Sequence, residues 1–251
     1  DFPSGAKASA MSNAVLGEEN VYAVFNNPAG LATIENLSIG IGYQQLFGMT
    51  GMANKSLTLA VPLQKGALSF GCARFGDDTY SENRVTGGWA RKINIVSLGL
   101  QVNYLQYRIT EIGMTNAWVL EMGGNVKIIP DLIFSAYMFN LNQARINENE
   151  YFQTAMKTGL SYRPLQDMHL NLELHKHSNL PLRFQGGFEY VIKQIVAMRA
   201  GIGTFPFENS YGIGFVARSF RLDYGLQFNR YLGYSHHISM DLDIRKRRKK
   251  K

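Results

Sequence analysis

The sequence predicts an all-β chain closed into a transmembrane antiparallel β-barrel of about fourteen strands. Three observations carry this expectation. From residue 36 onward apolar and polar residues alternate with a period of two. Turn signals such as Gln64-Lys65-Gly66, Gly76-Asp77-Asp78 and Pro130-Asp131 punctuate the alternation. No apolar run of about 18 residues and no amphipathic helix of about ten residues interrupts it.

Taken in order, residues 1–35 stand apart, being small and apolar without a clear period. The barrel is expected over 36–245, with strands near 37–47, 54–63, 66–75, 82–93, 95–109, 115–129 and 131–141 in its first half. Strands near 151–163, 167–177, 181–192, 194–204, 210–217, 219–230 and 235–245 make the second. Leu98, Leu100, Val102 and Tyr104 alternate with Ser97, Gly99, Gln101 and Asn103. Trp118, Leu120 and Met122 alternate with Glu121, Gly123 and Asn125, and Leu222, Tyr224 and Leu226 with Arg221, Asp223 and Gly225. Successive strand side chains point to opposite faces, so each segment has one apolar and one polar face. The connections are short enough for up-and-down hairpins.

Alternation alone does not say which face looks outward. About eight strands is the size at which side chains fill a barrel, so about fourteen enclose a wider lumen. With apolar residues inside, that lumen would be a large dry void. With apolar residues toward lipid, the wall closes every backbone hydrogen bond and the polar residues meet water. Polar-face residues of opposite sign, Glu121 with Lys127, Arg183 with Glu189 and Arg221 with Asp223, are expected to neutralise one another across neighbouring strands inside a wet lumen. Gly87, Gly99, Gly123, Gly187, Gly201 and Gly225 would thin the wall where strands curve or an inserted segment fits. Aromatics near strand ends (Tyr43, Phe47, Phe75, Tyr80, Tyr107, Tyr151, Phe152, Tyr162, Phe205, Phe207, Tyr231 and Tyr234) suit two interfacial girdles.

The net charge of +7 is located entirely at one end. Without Arg245, Lys246, Arg247, Arg248, Lys249, Lys250 and Lys251 the 26 Lys+Arg fall to 19, equal to the 19 Asp+Glu. A nucleic-acid partner needs a basic stripe across a folded face, and none is visible. The tail 246–251 reads as a solvated extension or as a contact for anionic headgroups or an acidic partner. Strand parity puts it on the periplasmic side. Asp1-Phe2-Pro3-Ser4 has none of the marks of a signal peptide, so the chain is leaderless or has lost its leader.

No chemistry-bearing constellation stands out. His175 and His177 share a strand face, and His169 and His236-His237 are nearby candidates, but no third metal ligand is evident. The serines lack a nucleophile setting and paired carboxylates are scattered, so neither an enzyme nor a cofactor is expected. Gly40-Ile41-Gly42 and Gly201-Ile202-Gly203 precede no helix and read as strand glycines. The single Cys72 excludes a disulfide framework and reads as inert packing.

Within residues 1–35, Asn26-Asn27-Pro28 is a turn initiator and Gly30 permits a close-packed backbone. The segment is either an arm capping the barrel mouth or an insert in the lumen. Gly5-Ala6-x-Ala8-x-Ala10-Met11, the acidic Glu18-Glu19 and Asn27-Pro28-Ala29-Gly30-Leu31 resemble the amino-terminal signature of the PorV-like proteins, Bacteroidota outer-membrane barrels of the wider FadL superfamily. Phe220-x-Leu222-Asp223-Tyr224 and Leu232-Gly233-x-Ser235-His236-x-Ile238-Ser239 resemble that family's closing hairpin. The resemblance implies a fourteen-stranded barrel in a Gram-negative outer membrane, among membrane lipids and lipopolysaccharide, with Asn27, Pro28, Ala29 and Gly30 in a luminal plug. It implies an accessory subunit of an envelope complex in type IX secretion or outer-membrane protein handling, beside a larger outer-membrane partner. The alternative is a FadL-like channel for small hydrophobic ligands such as fatty acids. The chain departs from the family in its short loops and in ending on a basic run.

Overall fold

A computed structural model of the chain describes residues 4–146 and 151–244. Its alternating segments become β1 (Leu37–Gln45), β2 (Ala53–Leu63), β3 (Gly66–Gly76), β4 (Tyr80–Ile93), β5 (Val96–Ile109), β6 (Gly113–Ile129) and β7 (Leu132–Phe139). The second half holds β8 (Ala155–Leu165), β9 (Met168–His177), β10 (Arg183–Ile192), β11 (Val196–Gly203), β12 (Glu208–Val216), β13 (Phe220–Asn229) and β14 (Gly233–Ile244). Each strand pairs antiparallel with the next. β1 pairs with β14, Leu37 opposite Ile244 and Gln45 opposite His236, so the described sheet is a closed barrel with no unpaired edge.

The two ends differ. β1 begins and β14 finishes at the terminal end, where Gln64-Lys65 and Asn94-Ile95 each join two strands. Lys193 and Gln194 take φ of 49° and 58° there, the left-handed pair that matches the twist of a tight hairpin. The opposite, loop end carries the longer connections, the longest between Phe139 and Ala155.

The outer face is apolar: Ile41, Leu57, Leu100, Trp118, Leu172 and Met198 are all exposed there. Their strand neighbours Gln101, Asn103, Asn171 and Arg199 point inward and are buried. Gly87 is an exception to the expectation for glycines. In β4 the even-numbered residues face inward, so Gly88 lines the lumen and Gly87 looks out.

What buries the inner wall is the chain's own start. α1 (Ala6–Ala10), α2 (Ala23–Asn26) and a 3-10 helix, Pro28–Thr33, lie inside the barrel. α1 packs on β11 to β14 and the 3-10 helix on β3 to β6. These helices are five, four and six residues long, too short to register as a period in the sequence. The wall is shaped to receive them. A Cβ on Gly201 would stand 2.4 Å from the Met11 carbonyl carbon and 2.5 Å from the Ser12 nitrogen, so this strand position admits no side chain. Gly99, Gly123, Gly187 and Gly225 meet the same segment.

Candidate functional site

The inserted segment is held by polar contacts at every turn. The Asn27 side chain caps the 3-10 helix by accepting from the Ala29 N–H at 3.1 Å. Its amide donates to the Leu16 carbonyl and to Asn125 Oδ1 of β6, both at 2.8 Å. Pro28, Ala29 and Gly30 follow as buried residues of that helix. Asn26 closes a ring with Ser4, accepting from its N–H at 2.9 Å and donating to its carbonyl at 3.0 Å. The Ala6 N–H donates to Ser239 Oγ of β14 at 2.8 Å, and the Asn171 amide to the Ala14 carbonyl at 2.7 Å.

A chain of charges runs from this segment into the wall. Lys7 Nζ donates to Glu18 Oε2 and to Glu189 Oε1, each at 2.8 Å. Glu189 also accepts from Arg199 Nε, and Arg199 Nη1 donates to Asp223 Oδ1 at 2.8 Å. Arg199 stands directly opposite Glu189, but Asp223 lies two strands away. The reach is open because Gly214 lies between them: a Cβ there would fall 2.2 Å from Asp223 Oδ1 and 2.8 Å from Arg199 Nη1.

The luminal pairs therefore differ from those expected. Glu121 is buried and pairs with Arg84 at 2.5 Å, while Lys127 is exposed at the terminal rim among Lys92, Asp131 and Arg163. Arg183 pairs with Glu208 rather than Glu189. Asp223 is taken by Arg199, and Arg221 Nε has no hydrogen-bond partner among the described residues. The reason is geometric: the expected partners share a strand, where residues two and six apart are about 7 and 20 Å apart. The observed partners sit two strands apart, on β4 and β6, β10 and β12, and β11 and β13, a span of about 10 Å that a long Arg side chain reaches across the inner face.

Two cavities flank the segment. At the terminal end a polar vestibule of about 570 Å³ is lined by Glu18, Glu35, Arg163, Arg221, Asp241 and Asp243. At the loop end a cavity of about 1030 Å³ is lined by Tyr80, Tyr107, Ile112, Phe139, Tyr151 and Phe152. Its floor is an apolar cluster that sequence reasoning missed: Leu105, Val119, Tyr137, Phe139 and Phe152 face inward against Leu16 of the segment. A small pocket continues past Tyr107 and Glu82 to Phe25, whose ring carries the Arg84 guanidinium at 4.9 Å.

The girdle assignment is corrected accordingly. Phe75 and Phe152 are buried, and Tyr80, Tyr107 and Tyr151 line the loop-end cavity. Tyr43, Tyr162, Phe205, Phe207, Tyr231 and Tyr234 are exposed. The signal that separates them is parity: counting by twos from an inward residue such as Glu82 or Glu121 reaches Tyr80 on β4 and Val119 and Ala117 on β6.

The histidines are dispersed. His175 Nε2 lies 2.7 Å from Glu173, His237 Nδ1 2.9 Å from Ser9 Oγ, His236 Nδ1 2.7 Å from the Tyr224 hydroxyl, and His169 Nδ1 3.3 Å from Glu189. Among the described residues no group of three or more His, Cys, Asp or Glu is placed to hold a metal. In the β3–β4 turn the Tyr80 and Thr79 N–H groups donate to the Asp77 carboxylate and hold it below its usual range. The basic run Arg245 to Lys251, like residues 1–3, lies outside the described residues.

No family model and no curated protein matches the chain. Solved structures do. The CymD monoaromatic hydrocarbon channel superposes with a TM-score of 0.75 at 11% identity, covering 96% of this chain and 98% of its own. The Ralstonia pickettii toluene transporter TbuX gives 0.73 at 12% identity over 96% and 98%. The Pseudomonas putida toluene transporter TodX gives 0.68 at 11% over 95% and 96%. At these identities the likeness shows the fold alone, a closed fourteen-stranded antiparallel barrel.

Proposed function

We propose that the chain is an outer-membrane channel that takes up small apolar molecules through its loop-end cavity. The observation that carries this reading is the position of that cavity. The rest of the lumen is polar and occupied by the inserted segment. At the loop end the inward residues instead turn apolar and aromatic, and they leave about 1030 Å³ open above an apolar floor. Ligand sites for small molecules are concave, with hydrophobic and aromatic walls and a few polar groups.

Orientation follows from loop length, because barrels of this kind keep short turns on the periplasmic side and longer loops outside. The loop-end cavity then faces the external medium and the polar vestibule the periplasm. The similar structures described as hydrocarbon channels and toluene transporters support this reading. Nothing among them supports a type IX secretion role or a Bacteroidota origin, so the hydrophobic-channel alternative is preferred over the secretion subunit.

Uptake of radiolabelled toluene by cells lacking other hydrophobic channels tests the proposal. Cells carrying the folded barrel should take it up faster than cells carrying none. Tyr107→Ala, which removes an aromatic wall from the cavity and its neck, should weaken toluene binding about tenfold, or about 1.4 kcal/mol. Equal uptake with and without folded barrel in the membrane would overturn the proposal. Purification in a stable complex with a large outer-membrane partner would favour the secretion reading instead.

A further inference from the structure

The loop-end cavity mixes aromatic and polar walls. Among the described residues that line it Glu82 is the single carboxylate and His177 the one imidazole, and there is neither Lys nor Arg. The Glu82 side chain accepts the Tyr80 hydroxyl at 2.5 Å and also lines the pocket that continues toward Phe25. It therefore stands where the cavity and the small pocket meet. The neighbouring cations are occupied. Arg84, one inward position deeper on β4, is paired with Glu121 and donates to Asn103 at 2.8 Å. Arg145 lies over the Tyr151 ring, 5.1 Å from its centroid. The far opening repeats the bias: carboxylates of Glu18, Glu19, Glu35, Asp167, Asp241 and Asp243 outnumber the Lys7, Arg163, Arg199 and Arg221 cations around the vestibule.

We infer that Glu82 makes the loop-end cavity a charge filter, which accepts neutral and ammonium-bearing aromatic molecules and rejects carboxylates. The inference rests on the uptake reading above and specifies its substrate class. A carboxylate brought beside the part-buried Glu82 meets repulsion that is screened less than in bulk solvent. An ammonium group meets attraction there, both from Glu82 and from the faces of the surrounding rings.

Three probes of nearly equal size separate the possibilities: toluene, benzylamine and benzoate, titrated at neutral pH against the purified barrel in detergent. Toluene and benzylamine should bind, and benzoate at least about tenfold more weakly. Glu82→Gln should raise benzoate affinity about tenfold, lower that of benzylamine, and leave toluene unchanged. Glu82→Asp, which keeps the charge, should keep the wild-type order. The folded state of each variant is checked by its mobility in unheated gels. Should Glu82→Gln not fold, the wild-type order and Glu82→Asp still decide. Benzoate binding as well as toluene, or an order unchanged in Glu82→Gln, would overturn the filter while leaving the uptake reading intact. Binding of none of the three probes would overturn both.

Discussion

The two sides of the lumen are built on one pattern and do opposite things. Along β9 to β14 the inward residues are charged, neutral polar or small, as at Glu189, Asn171, Ser239 and Gly201. Glu189, Arg199 and Asp223 form an ion chain, and Gly201 gives room for Met11, so the segment fits tightly and is tied down. Along β4 to β8 at the loop end the inward residues include Tyr80, Tyr107, Val119, Phe139 and Ala155 beside the carboxylate of Glu82, and space remains open above them. Outward faces on both sides are equally apolar. Inward chemistry therefore sets whether a sector grips the segment or offers a cavity.

The most severe test of this contrast is Arg199→Ala. It leaves Asp223 buried without its hydrogen-bonded Arg and Glu189 with only Lys7 and the nearby His169, at a cost of about 3–5 kcal/mol. The readout is the fraction folded after reconstitution. A change as small as that of Tyr107→Ala would erase the distinction between the two sectors. Gly201→Val should act less strongly, costing about 1–3 kcal/mol through overpacking. Its mark is a displaced segment, seen as faster proteolysis at residues 4–34 and larger single-channel conductance. Unchanged proteolysis would mean that the seat is not tight. Asp77→Ala lies outside both sectors and serves as the smallest reference. Because the folded carboxyl titrates below its usual range, its support for the turn is present above the ordinary carboxylate range. That support is lost as pH falls through the lowered value. Wild type and variant should differ slightly in proteolysis of the β3–β4 turn at neutral pH and converge in strong acid.

Most of the wall was legible because period two survives without any knowledge of partners. Leu98 to Tyr104 and Leu222 to Phe228 announce both strand and face. The ion pairs were not legible, since they depend on register, and register is fixed by turns such as Lys193-Gln194 that the strand pattern does not contain. The apolar floor was hidden for a different reason. In Ala117-Trp118-Val119-Leu120 and Ala136-Tyr137-Met138-Phe139 both faces are apolar, so alternation vanishes where the lumen changes character. The short helices at Ala6–Ala10 and Ala23–Asn26 left no period at all. Their composition of small residues, with Asn26 and Asn27, was the available signal.

The contact between Ala6 and Ser239 bears on how such a wall is sealed. The inserted segment and the final strand touch here, although 233 positions separate the two residues in the chain. The strand that closes the seam with β1 is therefore also one the opening segment is fastened to, so the joint and the occupant share an anchor.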